Sequence, residues 1–156
     1  MISIDVVSEG NLWGKKIKKK DIFFNAMVRF FPKKYRFIKK KISLTILLSN
    51  NKNIKKLNNK FRNKNKSTDV LSFPSEKKID IKKSPYIGDI IISYEFINRP
   101  KILSTLEFKK KVTKIFIHGF LHLLGYDHIK LTDLKKMLAE EKKIYKIIET
   151  KIAKLV

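Results

Sequence analysis

Ile2, Ile4 and Val6 alternate with Ser3 and Asp5, the period of two imposed on a strand with one buried face. A loop holding Trp13 and Gly14 follows. Ile22, Phe23, Ala26, Met27 and Phe30 then recur at helical spacing, which predicts a helix capped by Asp21 and ended by Pro32. The run Ile42-Ser43-Leu44-Thr45-Ile46-Leu47-Leu48 is β-branched and mostly apolar, as a central strand covered on both faces would be. Next, Asn51 or Asn53 is placed to cap a short helix with Ile54, Leu57 and Phe61 on one face, and that helix delivers Arg62 at its C-terminal end. Two further strands, Val70 to Phe73 and Ile87 to Ile92, flank a lysine-rich loop from Pro74 to Tyr86 that is expected to be mobile. A short helix over Glu95 to Asn98 is interrupted by Pro100, and Ser104-Thr105-Leu106-Glu107 has the form of a capping box opening a long helix. Leu106, Val112, Ile115, Phe116, Phe120, Leu123 and Leu124 make that helix broadly apolar, so it should lie inside, against the sheet. Thr132-Asp133 opens a last helix with Leu134, Met137, Leu138, Ile144 and Ile148, whose mixed Lys and Glu face reads as solvated.

No repeat or linker divides the chain. The elements predict an α+β fold in one domain over residues 1–156, a small mixed four-stranded sheet packed with about five helices. A chain of 156 residues, 43% hydrophobic, is long enough to bury one core. The apolar runs around Ile115 to Gly125 and Ile42 to Leu48 are broken by polar residues and fall short of the roughly twenty residues that a membrane helix needs. The first ten residues carry Asp5 and Glu9 and do not read as a secretory leader, so a cytoplasmic protein is expected.

The net charge of +23 makes a polyanion an expected partner, because each phosphate neutralised releases a condensed counterion. Arginine occurs only at positions 29, 36, 62 and 99, and the rest of the positive charge is lysine. A lysine-, isoleucine- and asparagine-rich composition is also what an AT-rich genome writes, so charge supports RNA binding without specifying it. Absence of cysteine removes disulfides and thiolate metal sites, leaving imidazole and carboxylate as the strong ligands.

All three histidines fall in one stretch, Ile117-His118-Gly119-Phe120-Leu121-His122-Leu123-Leu124-Gly125-Tyr126-Asp127-His128. On a helix, His118 and His122 stand at i and i+4, one turn apart on one face. Gly125 stands where a left-handed residue could end the helix, and the reversed chain could return His128 to the same point. This spacing matches four of the five fixed positions of the metzincin pattern His-Glu-x-x-His-x-x-Gly-x-x-His. The mismatch is Gly119, where a metalloprotease carries the glutamate base. Three neutral ligands leave a divalent ion its full Lewis acidity, a catalytic pattern that keeps a coordination position open. Asp127 is expected behind the ligands or in a turn. Zinc is the expected metal, although imidazole also suits nickel and copper.

Written out from His118 to His128, the stretch resembles the H-G-x-L-H-L-x-G-Y-D-H signature of the YbeY family of bacterial ribosomal-RNA maturation endoribonucleases. Leu57-Asn58-Asn59-Lys60-Phe61-Arg62, Ser67-Thr68-Asp69-Val70-Leu71-Ser72-Phe73-Pro74 and Gly88-Asp89-Ile90 are similar to further family segments in the same order. The resemblance implies a single-strand-specific, metal-dependent endoribonuclease acting in ribosomal RNA maturation and ribosome quality control, with ribosomal RNA and the small subunit as partners and no specificity for DNA. It also places Arg62 at the family's functional arginine, where a helix-end arginine would otherwise read as a solvated charge. The site read from the sequence is therefore His118, His122 and His128 as metal ligands and Arg62 as the catalytic cation. Thr68, Asp69 and Asp89 are left as turn and strand-end residues. Two other classes compete: an RNA-binding ribosome assembly factor with a structural metal, and a metallopeptidase-like hydrolase, against which Gly119 counts.

Overall fold

A computed structural model describes residues 1–77 and 80–155; Lys78 and Ile79 of the lysine-rich loop, and Val156, lie outside the described residues. Four strands form one mixed sheet in the order β1-β2-β4-β3. β1 (Ile2–Ser8), β2 (Ile42–Ser49) and β4 (Tyr86–Ser93) run parallel, and β3 (Val70–Pro74) closes one edge antiparallel to β4. β1 keeps the expected alternation, with Ile2 and Ile4 buried and Ser3 and Asp5 exposed. The central β2 is nowhere exposed along its length, as its nearly continuous apolar run requires.

Among the described residues there are six α-helices, one more than the sequence suggests. The additional one is α1 (Leu12–Lys16), in the stretch read as a loop. Five residues are too few for a periodicity to show, and the turn is held by tertiary contacts of Trp13. That ring is fully buried edge-on to Tyr94 and Phe108, and its Nε1 donates to the Ser49 carbonyl at 2.9 Å. α2 spans Lys20–Val28, so Asp21 lies in its first turn and the N-cap is Lys19. Ile22 and Phe30 are exposed, and the inward positions are Phe23, Phe24, Met27 and Phe31. α3 (Asn51–Arg62) is capped by Asn50, whose side chain accepts from the Asn53 amide at 2.9 Å, not by Asn51 or Asn53. α4 (Tyr94–Ile97) is short. α5 (Thr105–Leu123) opens with the expected capping box of Ser104 and Glu107. α6 (Leu131–Ile148) begins at Leu131, and Leu138 is exposed.

The main core lies on the face of the sheet covered by α2 and α5, with Phe24, Phe31, Phe116 and Phe120 packed through it in edge-on and tilted contacts. α3 covers part of the other face, burying Ile54 against Leu71 and Ile91. α5 buries Val112, Phe116, Phe120 and Leu123 and packs against β3 and β4; Leu106, in its first turn, stays exposed. None of the described helices is long and apolar enough to cross a membrane.

Candidate metal centre

The histidine signature occupies the end of α5 and the reversal after it. Leu124 is the C-cap residue, and Gly125 follows at φ +92°, in the left-handed region that glycine enters without penalty. The Gly125 amide donates to the His122 carbonyl at 3.0 Å and the Tyr126 amide to the Leu121 carbonyl at 3.0 Å. These are the paired bonds of a Schellman termination, and they turn the chain back across the last helical turn. Asp127 completes the reversal as a turn residue, its Oδ1 accepting from the His128 amide at 2.6 Å.

The reversal brings the three rings together. Their centroids are 4.6 Å (His118 to His122), 4.9 Å (His122 to His128) and 5.6 Å (His118 to His128) apart. One nitrogen from each lies within 4.8 Å of the others, so the three could hold a single ion. The outward nitrogens of two rings are already engaged. Nδ1 of His122 donates to the Tyr126 carbonyl at 2.9 Å, and Nδ1 of His118 donates to Glu141 Oε1 at 2.6 Å. A carbonyl and an ionised carboxylate only accept, so each Nδ1 carries the hydrogen and each Nε2 presents a lone pair. Those two Nε2 atoms face one another at 3.1 Å. Ligand nitrogens about 2.0–2.1 Å from a tetrahedral zinc lie about 3.3 Å apart, so the His118–His122 pair fits one ion with little movement. Burial, and then the neighbouring His118, hold the His122 imidazole below its ordinary pKa against the opposing Tyr126 carbonyl, which favours the neutral, ligating form.

Beside the rings lies a cleft of about 580 Å³ whose lining includes His118, His122 and His128 together with Arg62, Thr68 and Asp69. Arg62 is the last residue of α3. Asn63, at φ 53°, ends the helix there, and the buried Asn58 ties the following loop by donating to the Lys66 carbonyl at 2.8 Å. Thr68 and Asp69 line the cleft although sequence reasoning set them aside. Asp69 Oδ1 accepts from the Val70 amide at 2.8 Å and the Thr68 hydroxyl at 3.1 Å, so both side chains also hold the entry to β3. Asp89 accepts from the Tyr86 hydroxyl and is not among the residues lining this cleft.

Gly119 faces the sheet. A Cβ there would stand 3.0 Å from Ser72 Oγ and 3.1 Å from Ile90 Cγ2, and the Ser72 hydroxyl donates to the Gly119 carbonyl at 3.1 Å. Even a methyl group at this position would require the Ser72 and Ile90 side chains to give by a few tenths of an ångström, so the longer glutamate of the protease pattern is disfavoured there.

Two residues of consequence were not legible in the sequence. Glu140 and Glu141 belong to the α6 face read as solvated, yet both turn inward. Glu141 meets His118, and Glu140 accepts from Tyr35 Oη at 2.5 Å and pairs with Lys34 Nζ at 2.9 Å. Tyr35 Oη also lies 2.9 Å from Tyr126 Oη, so the turn between His122 and His128 is tethered at both its carbonyl and its ring.

Residues 12–149 match the family model described as endoribonuclease YbeY. The chain is 72% identical over 153 residues to an endoribonuclease YbeY of Pelagibacter ubique, covering 98% of this chain and all of that protein. It is 33% identical over 152 residues to an endoribonuclease YbeY of Bartonella bacilliformis, covering 97% and 96% of the two. A solution structure of a Thermotoga maritima protein has the same fold, at a TM-score of 0.56 and 25% identity over 95% of this chain and 90% of that one. The family model matched over most of the chain and a relative 72% identical over nearly its whole length lead to one conclusion: the chain belongs to the endoribonuclease YbeY family.

Proposed function

We propose that this protein is a metal-dependent endoribonuclease that cleaves single-stranded RNA, that His118, His122 and His128 hold its metal, and that the metal is zinc. The observation that carries the reading is the cleft in which the three imidazoles and Arg62 share one cavity. Zinc, when bound, supplies a Lewis acid for the phosphoryl group. The chain's own part is orientation and charge. Tyr126 and Glu141 engage Nδ1 of two rings and leave each Nε2 to the metal, and Arg62, which lines the same cleft, has in this reading the role of binding a phosphate and stabilising charge developing on its oxygens. Ribosomal RNA as the substrate, and the small subunit as its setting, rest on the resemblance of the signature, and residues 1–156 are taken as one catalytic unit.

The test is incubation of zinc-loaded protein with an end-labelled single-stranded RNA and with the same RNA annealed to its complement. Cleavage of the single strand that stops with a chelator and returns with zinc is the expected result. RNA binding without cleavage under all these conditions would instead favour an assembly factor with a structural metal.

A further inference from the structure

We propose that Glu141 is a positioning residue of the metal centre: by accepting Nδ1–H of His118 it fixes that ring's tautomer and orientation, making α6 a working part of the site. This rests on the reading of His118, His122 and His128 as metal ligands. Glu141 Oε1 lies 2.6 Å from His118 Nδ1, a short hydrogen bond of the kind that a carboxylate acceptor makes. Both side chains are partly shielded, with relative exposures of 33% for His118 and 23% for Glu141. In a chain with 37 lysines and arginines, no such cation among the described residues pairs with Glu141, whereas its neighbour Glu140 takes Lys34. Among the described residues, the hydrogen-bond partner of its side chain is the His118 imidazole.

The consequence for His118 is specific. A carboxylate on Nδ1 keeps the hydrogen there, leaves the Nε2 lone pair directed at His122, and raises the basicity of the ring as a ligand. His122 is held by the neutral Tyr126 carbonyl, so the two rings are fixed by acceptors from two different parts of the chain, the turn and α6. The two Nε2 atoms face each other at 3.1 Å, a separation that a single shared cation can bridge. Glu141 thus helps to hold an arrangement that favours the occupied site.

Glu141→Ala and Glu141→Gln test this through metal affinity, measured by competition with a chromophoric chelator using zinc alone. Alanine is the best helix former, so the first variant keeps α6. Affinity should fall about 10- to 100-fold for alanine, the range for loss of such a partner, and less for glutamine, which retains an acceptor oxygen without the charge. A second readout needs no metal. The ring nitrogens of His118 in metal-free protein should show the hydrogen on Nδ1 by NMR, and Glu141→Ala should shift that population toward Nε2. Wild-type zinc affinity together with an unchanged tautomer in Glu141→Ala would overturn the proposal. His118→Ala separates the two readings. If it binds zinc as tightly as wild type, the metal site itself is wrong; if it loses zinc while Glu141→Ala keeps both the wild-type affinity and the wild-type tautomer, only the role of Glu141 fails.

Discussion

Gly119→Ala should destabilise the protein, although alanine normally stabilises a helix. Removing glycine from a helix interior favours the fold by about 1 kcal/mol. Against this, the added methyl meets Ser72 Oγ at 3.0 Å and Ile90 Cγ2 at 3.1 Å, and the seam between α5 and the sheet must open or Ser72 must rotate away. Overpacking of a filled core costs about 1–3 kcal/mol, and loss of the Ser72 to Gly119 hydrogen bond adds about 1 kcal/mol. The net is a loss of about 1–3 kcal/mol, which for a chain of this size lowers Tm by about 2–4 °C per kcal/mol. Circular-dichroism melts of the metal-free protein measure it. Ser72→Ala tests the mechanism, because it removes one of the clashing atoms; the double variant should be more stable than the sum of the two losses predicts. A Gly119→Ala protein as stable as wild type would refute the close-approach argument.

Gly119→Glu adds a carboxylate to the same seam and should cost several kcal/mol more through burial of an unpaired charge, yielding little folded protein and no peptidase; robust peptide hydrolysis by that variant would contradict the substrate reading. His118→Ala, His122→Ala and His128→Ala should each lose most bound zinc in metal analysis, since three ligands leave no redundancy. Full occupancy in one of them would remove that residue from the site. For His122 the folded-state pKa lies below the ordinary 6.5, so its contribution to folding and to metal binding is present above pH 6.5 and is lost as pH falls through the folded value. Zinc affinity should accordingly be level above neutrality and decline in acid; an affinity rising toward pH 5 would contradict the assignment. Neutralising Lys77, in the described part of the long loop, should lower the salt slope of RNA binding by at most about one unit and leave the cleavage rate at saturation unchanged.

Legibility in the sequence followed the range of the forces involved. The strands were visible because burial on one face writes a period of two, as in Ile2 to Val6. Ser104 and Glu107 announced α5 because a capping box is a contact between near neighbours, and His118, His122, Gly125 and His128 were readable because a helix and its termination fix their spacing. What failed depended on distant chain. α1 exists because Trp13 finds Tyr94, Phe108 and the Ser49 carbonyl, and nothing local says so. Glu140 and Glu141 looked like ordinary members of a charged helical face, because their partners, Tyr35 and His118, lie far away in sequence. One weak signal was available, an acidic pair on a helix following the histidines in a chain poor in acid. Arg62 reached the candidate site through the family resemblance, and the cleft gives it a physical place there.

In the proposed function Arg62 and the three histidines work on one phosphate. Single-turnover cleavage of a single-stranded RNA by zinc-replete Arg62→Ala and Arg62→Lys, with metal content and RNA affinity measured on the same samples, tests it. Loss of a charge contact made in the transition state predicts a rate lower by about two to three orders of magnitude for alanine, with zinc content unchanged and affinity changed far less. Lysine should recover only part of the loss, because it keeps the charge without the planar fork that grips two phosphate oxygens. A wild-type rate in Arg62→Ala would contradict the account and return Arg62 to the role of a solvated helix-end charge.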